Sequence, residues 1–583
     1  MLKGNNAVIR SATSVLKKNT GLSVLLVTAA CGAVAASLVP PQILKLVIDR
    51  NLVPGSSAGL LVLAVVYMGS ILFSGLFDFI KEAVLTVLGQ KIMREIRSKM
   101  MFKLGRTGSR FFTDNESGII VSRFTNDVDA INTLFTSGIV GMAVDCFRVV
   151  GIVVSIWLFS AMLGVTTVVL LPVIYAITRL FQRRMLKAQI DNRVIVGRVN
   201  NHISESLKNI LMIKAFGKEA FMEEKYRGHL FANYRTLEKV NFYDAIFSPI
   251  IQVIRAVVIA LIVVLSAGRG NYLGISLGMV AATIELFSGL FTPVENLGMA
   301  LQDIQQAISG IFRVNEFFSG PEDTGKDEGI KAEDIIPHRK DARLEFDDVT
   351  FGYEEDVDVL KNISLKISPQ EKVTFVGRTG VGKTTLFKLI TGLLEPTSGN
   401  IRLNGKNVFS IPNSEKRKIF GYVDQSFYLV KGTIAEQISL RDEDITREQI
   451  TAALEFTGLK DYVDSLENGL DTQITNDSIF SQGQKQLLAI ARAIVTDPPI
   501  LLLDEITANL DSITEDKIVR VLQRASQAHM ILSISHRLSS MIASDTVVIL
   551  ENGRVKNAGS PEILLESDEW YRNRLALERL TWG

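Results

Sequence analysis

The chain has 583 residues, too many for a single core, and its mean hydropathy of +0.25 is high for a soluble protein. A net charge of +1 without a long basic run argues against nucleic acid as an electrostatic partner. The two cysteines, Cys31 and Cys146, both lie in apolar stretches, and with only five histidines the composition excludes a disulfide framework and a Cys- or His-rich metal cluster.

The first twenty residues are basic and lack acids. They share that character with organelle transit peptides, but the plainer expectation is a cytosolic segment lying on the membrane ahead of a first span. Six stretches are long and apolar enough to cross a bilayer, at 21–47, 58–80, 136–159, 161–177, 246–267 and 272–291. Short links join spans one and two, three and four, and five and six. Long polar helical stretches, 82–132 and 178–243, join two to three and four to five. Both are rich in Lys and Arg, as is the N-terminus, so the positive-inside rule places all three in the cytosol. An even number of spans returns the chain to that side, where the second half follows.

Four ionisable residues fall within the spans. Asp145 and Arg148, three positions apart, are expected to pair with each other. Arg255 and Glu285 either face a translocation cavity or form a structural ion pair. The Gly-, Pro- and acid-rich stretch SGPEDTGKDEGIKAED at 319–334 reads as a linker. The expected organisation is a transmembrane domain over 1–318, a linker over 319–341 and a second domain over 342–583.

The second half carries the chemistry. An alternating strand pattern at 343–353 precedes EKVTFVGRTGVGKTTLFKLI (371–390), which runs strand, glycine-rich turn, helix. Gly377, Arg378, Thr379, Gly380, Val381, Gly382, Lys383 and Thr384 fit the phosphate-binding loop pattern. The glycines let backbone N–H groups converge on phosphate oxygens, and the helix N-terminus adds partial positive charge. Lys383 supplies a compact cation for the β- and γ-phosphates, and the Thr384 hydroxyl can ligate Mg²⁺. Downstream, PPILLLDEITANLD (498–511) gives a buried apolar strand ending in Asp504, a metal ligand, and Glu505, which polarises an attacking water.

This ordered set resembles the ATPase domain of ABC transporters. FSQGQKQLLAIARAI (480–494) is similar to that family's LSGGQ signature and lies just before the Asp-Glu strand. The resemblance implies a Q-loop at Gln425 that contributes to Mg²⁺ binding and catalysis, a D-loop at Asp511, a switch histidine at His536 and an adenine-stacking aromatic at Tyr353. It extends the ATP-binding set through Thr385. It assigns Ser481, Gln482, Gly483 and Gln484 to the nucleotide held by a second chain. Stretches 111–131 and 205–219 resemble the two intracellular loops of exporters, whose short coupling helices dock on the ATPase domains.

The implied fold is a multidomain membrane protein: an all-α six-helix transmembrane domain with long cytosolic helical extensions, and an α/β P-loop ATPase domain with a helical subdomain. The implied activity is ATP-driven efflux of an amphipathic or hydrophobic molecule, with ATP and Mg²⁺ as cofactors, in a bacterial plasma membrane. A lipid flippase, a peptide exporter, an ATP-gated channel and a non-transporting regulator are the rivals. The intact Glu505 favours turnover over gating, and no added Cys/His peptidase domain precedes the spans.

Two departures from the family pattern stand out. The signature has Phe480 for Leu and Gln482 for the second residue, and ITNDSIFS (474–481) lacks the usual upstream Glu. One phosphate loop and one signature make half a machine, so a second half-transporter is required. The full catalytic set beside an altered signature resembles the competent partner in heterodimeric exporters, which favours a heterodimer slightly over a homodimer.

Overall fold

The computed structural model describes residues 6–581 except 274–275, 324–325, 327–328, 355–356, 426, 475–478, 507–511 and 536–542; at 137, 248, 265–273, 295, 297–302, 512–513, 575 and 577–581 it describes the backbone alone. The chain divides into two compact units. One comprises 1–105 and 115–320, the other 106–114 and 321–583.

The first unit is helical. Six helical stretches are long and apolar enough to span a membrane: Thr20–Leu52, Leu60–Gly105, Ser117–Phe159, Ala161–Lys208, Glu219–Val264 and Leu277–Val294. The polar stretches expected between spans are continuations of the same helices. Leu60–Gly105 runs for 46 residues, about 70 Å at 1.5 Å per residue, more than twice a bilayer's hydrocarbon thickness. The sixth span begins five residues later than expected, because Ser276 caps the helix there by accepting from Met279 N. Asp49 holds that start in place, accepting from Ser276 Oγ at 2.6 Å and Gly278 N at 2.9 Å. Ile152, Ile156, Leu163, Phe287 and Leu290 pack inside the unit. Leu61 and Leu158, by contrast, are 79% and 80% exposed, which suits lipid and not water. Ahead of the spans, Ala7–Lys18 is an amphipathic helix that buries Val8, Ala12 and Val15 and leaves Lys17 and Lys18 outward.

A cavity of about 610 Å³ lies in this unit, lined by Asp78, Lys81, Asp145, Arg148, Asn296 and Asp303 among others. The expected Asp145–Arg148 pair is not what forms. Arg148 reaches Asp78 at 3.9 Å, while Asp145, 8% exposed, is hydrogen-bonded with Asn296. Positions three apart on a helix differ by about 60° in direction, enough for each side chain to meet a different neighbouring helix. Arg255 donates to Ser288 Oγ at 3.1 Å, and among the described residues no ion pair joins it to Glu285. Neither of the two lines the cavity.

The second unit is α/β. A six-stranded sheet runs β12-β11-β3-β10-β9-β6, where β3 is Lys372–Gly377, β6 Phe420–Val423, β9 Ile500–Asp504, β10 Met530–Ile534, β11 Thr546–Glu551 and β12 Arg554–Gly559. All neighbours are parallel except β11 and β12. Every residue of β9 is buried, as expected of a central parallel strand covered on both faces. An antiparallel sheet adds β2-β1-β4-β5, with β1 Leu344–Glu354, β2 Val357–Ile367, β4 Ser398–Leu403 and β5 Lys406–Asn407. The two sheets share one core, in which Phe346 and Leu403 meet Phe375, Leu386 and Leu532. A second core, including Ile438, Leu454, Leu488 and Ile490, organises the helical subdomain, where β7 Gly432–Thr433 and β8 Gln473–Ile474 form a short antiparallel pair.

Candidate functional site

β3 ends at Gly377 and the helix Lys383–Ile390 begins six residues later, so the intervening turn reverses the chain over the sheet's carboxyl edge. Gly380 and Gly382 take φ of +85° and +103°, values that residues with a Cβ rarely adopt. That turn, Gly377 to Val381, borders a cavity of about 490 Å³ whose other walls include Asp358, Asn552 and Trp570. Lys383 turns back into the turn and donates to the carbonyls of Gly377 at 3.0 Å and Arg378 at 3.2 Å. Burial lowers its pKa, and the opposing charges of Glu505 and Asp504 partly restore it. Tyr353, near the end of β1, sets its hydroxyl 3.3 Å from Thr385 Oγ1, and Arg110 donates to the Tyr353 carbonyl at 2.6 Å.

β10 lies beside β3 and β9 beside β10, all parallel and ending at the same edge, which brings Asp504 and Glu505 to the turn. Asp504 is 3% exposed, and its pKa is pushed up to about 6, first by burial and then by Glu505 and Asp424. A hydrogen bond with Thr384 and the charge of Lys383 oppose that rise. Glu505 holds a left-handed φ of 47° while its N–H reaches the Ile534 carbonyl at 3.0 Å. Its carboxylate accepts from Gln425 Nε2 at 2.9 Å. Such backbone positions cost of order 1–2 kcal/mol and cluster at functional sites. Hard oxygen donors from Asp504, Thr384 and Gln425, gathered where negative charge outweighs positive, fit a hard divalent cation such as Mg²⁺.

The signature residues sit elsewhere in the unit. Ser481 caps the helix Gln482–Ile494, exchanging hydrogen bonds with Gln484 at 2.8 and 3.2 Å, and Ser481 and Gln482 are exposed. Gly483 is buried, and a Cβ there would come within 2.1 Å of Thr514 Cγ2.

Two profiles match the chain: one described as the ABC transporter transmembrane region over residues 22–294, the other as ABC transporter over 360–508. The chain belongs to the ABC transporters. It carries the membrane region and the ATPase on one polypeptide, in that order, and is an ATP-hydrolysing transporter subunit integral to a membrane. This ABC chain is 26% identical to the uncharacterized ABC transporter ATP-binding protein YfiC of Bacillus subtilis, covering 98% of this chain and 94% of YfiC. It is 28% identical to the probable multidrug resistance ABC transporter YheH of the same organism, over 89% and 77% of the two chains. Identity is also 28% with an ATP-dependent lipid A-core flippase of Chromobacterium violaceum, over 95% of each. The solved structure of a bacterial Atm1-family ABC exporter with ATP bound shares the fold, with a TM-score of 0.78, 23% identity and coverage of 98% and 99%.

Among the expected site residues, then, the phosphate turn, Lys383, Thr384, Asp504, Glu505 and Gln425 come together in this ABC chain. Asp511 and His536 lie outside the described residues. Sequence reasoning passed over Asp424, which sits beside Gln425 in GYVDQSF and helps raise Asp504. It also passed over Trp570, about 190 residues from the turn whose cavity it lines, which no local pattern marks.

Proposed function

We propose that this chain is one half of an ATP-driven exporter that moves an amphipathic or hydrophobic small molecule out of a bacterial cell. The observation that carries it is the gathering of Lys383, Thr384, Asp504, Glu505 and Gln425 around one phosphate-binding turn, on a chain that also supplies six spans. Glu505, held by Gln425, orients and deprotonates the attacking water. Lys383 leaves its placeholder carbonyls for the β- and γ-phosphates. Asp504, Thr384 and Gln425 would hold Mg²⁺, which would neutralise phosphate charge there.

The exposed Ser481 and Gln482 at the start of the signature helix support a role across a dimer, with Ser481 and the Gly483 backbone facing the nucleotide of a second chain. ATP favours the closed dimer over the open one, and that differential affinity is what shifts the membrane domain. The unaltered catalytic set beside the Phe480-Ser481-Gln482-Gly483-Gln484 signature favours a different half-transporter as partner over a second copy. Basic N-terminal and loop segments support a cytosolic placement of the N-terminus and ATPase. Multidrug exporters and lipid flippases both occur among the relatives, so drug-like and lipid cargo stand together.

Phosphate release from the full chain in lipid nanodiscs, with its mass by light scattering, tests this. Glu505→Gln should cut turnover at least about a hundredfold while ATP still binds. Unchanged turnover in that variant overturns the proposal. Robust hydrolysis by a dimer of this chain alone overturns only the preference for a different partner.

A further inference from the structure

Two residues past the last helix of the first unit, Phe291–Ser319, the chain enters the second unit and is fixed there by a buried lysine. Lys326, with a side chain only 6% exposed, donates to the Gly392 carbonyl at 3.0 Å and the Phe409 carbonyl at 2.6 Å. Its ammonium also lies over the Phe409 ring, 3.9 Å from the centroid, and 3.6 Å from Asp323. Lys416 brings a second ammonium to the same Gly392 carbonyl, at 2.8 Å.

Gly392 lies two residues past the C-terminal end of Lys383–Ile390, the helix whose N-terminus forms the phosphate turn. The Leu393 and Leu394 amides close that end by donating to the Lys388 carbonyl at 2.9 and 3.2 Å. The Lys326 cation at a helix C-terminus complements its partial negative charge. An eight-residue helix is about 12 Å long and moves as a rigid rod, so fixing one end sets where the other lies.

The anchored segment has a second attachment. Asp323 donates its N–H to the Arg106 carbonyl at 2.8 Å and accepts from Asn413 Nδ2 at 3.0 Å, and Glu322 bridges to Thr107. Four residues on from Arg106, Arg110 holds the carbonyl of Tyr353. Residues 106–114 follow directly on the second span's helix, Leu60–Gly105. The chains leaving spans two and six thus meet each other, one going on to the Tyr353 carbonyl and the other to the C-terminal end of Lys383–Ile390.

We propose that Lys326 is a positioning residue for ATP binding, pinning the chain that leaves the last membrane helix to the C-terminal end of the phosphate-loop helix. Displacement of that chain is then felt at Lys383 and Thr384. The inference rests on the ATP site described above. A lysine is suited to the task because an ammonium carries three donors on a flexible stem, more than any neutral side chain offers. Burial lowers the Lys326 pKa, and Asp323, Lys416 and Glu395 act against it.

The test uses the full chain in lipid nanodiscs and compares Lys326→Met and Lys326→Arg with Lys366→Met, a control at a lysine whose side chain is 80% exposed. The readouts are the Kd of a fluorescent ATP analogue, the KM and kcat for ATP, and hydrogen exchange at 378–386. For Lys326→Met we expect Kd and KM to rise about fivefold, within the usual range of coupling between sites. We expect kcat to stay within about twofold and exchange in the turn to quicken. Lys326→Arg should recover part of the loss in Kd, and the control should match the parent. A lower melting temperature with Kd, KM and exchange unchanged makes the lysine a structural anchor only and overturns the proposal, as does no change at all. Because Kd is read without turnover, a chain that binds ATP yet fails to hydrolyse it refutes the exporter reading and leaves this test intact.

Discussion

Replacing Asp504 with Asn should abolish hydrolysis yet make the metal-free ATPase domain more stable. The carboxyl is buried at the end of β9 beside Glu505 and Asp424, and its pKa is raised from 3.8 to about 6. At pH 7, above both values, the group is ionised in the folded and unfolded chain alike, so the folded state carries the whole cost of the shift. About two pH units correspond to about 3 kcal/mol. Exposed Thr384 and Gln425 leave the site open to water, and screening reduces the figure to about 1–2 kcal/mol. Asn keeps the shape and still accepts from Thr384. For a domain of this size the gain is worth about 3–6 °C in melting temperature. Thermal unfolding of the full chain in nanodiscs, followed by tryptophan fluorescence in EDTA, gives the comparison. With Mg²⁺ and ADP added, the parent should recover and the gap should narrow or reverse. An Asn variant that melts below the parent in EDTA would refute the electrostatic argument.

Three further outcomes follow from the packing. Gly483→Ala should destabilise the helical subdomain by about 1–3 kcal/mol through its clash with Thr514 Cγ2, and Thr514→Ser, which removes that methyl, should restore most of the loss in a melting assay. Arg492 donates to the Gln437 carbonyl at 2.7 Å and Oε1 at 3.1 Å and lies over Phe427 at 4.3 Å, so Arg492→Met should cost about 2–3 kcal/mol in chemical denaturation. Burial, then Lys326, lowers the Lys416 pKa from 10.5 to about 7. The unfolded chain therefore binds more protons between those values, and the parent gains stability as pH rises through that window. The melting difference between Lys416→Met and the parent should be largest, in the variant's favour, at or below pH 7 and shrink toward pH 10; a difference independent of pH would contradict the shift.

What the sequence made legible was whatever repeats or runs locally. Six apolar stretches, an apolar strand into a glycine-rich turn, and an Asp-Glu pair closing another apolar strand each need only a short window. Less legible were choices among distant partners. Arg148 had an acid three residues away and took Asp78, seventy positions upstream, because helix geometry aims the two neighbours apart. Gly483 was assigned a role toward a nucleotide on a second chain, yet a demand already present within this one is the Thr514 side chain thirty-one residues on. Lys326 sat unremarked in an acidic linker, since nothing in that stretch announces that carbonyls at 392 and 409 await it.

The left-handed backbone at Glu505 also bears on how such chains diverge. A glutamate tolerates that angle only because its neighbours enforce it, whereas Gly, Asn and Asp adopt it with less strain. Were one of two paired genes relieved of the duty to split ATP, selection would no longer hold an uncomfortable residue at 505. Drift would then run downhill toward a shorter side chain, silencing one site and slightly steadying its domain. In this chain the glutamate at 505 keeps that left-handed angle, where a shorter side chain would sit with less strain.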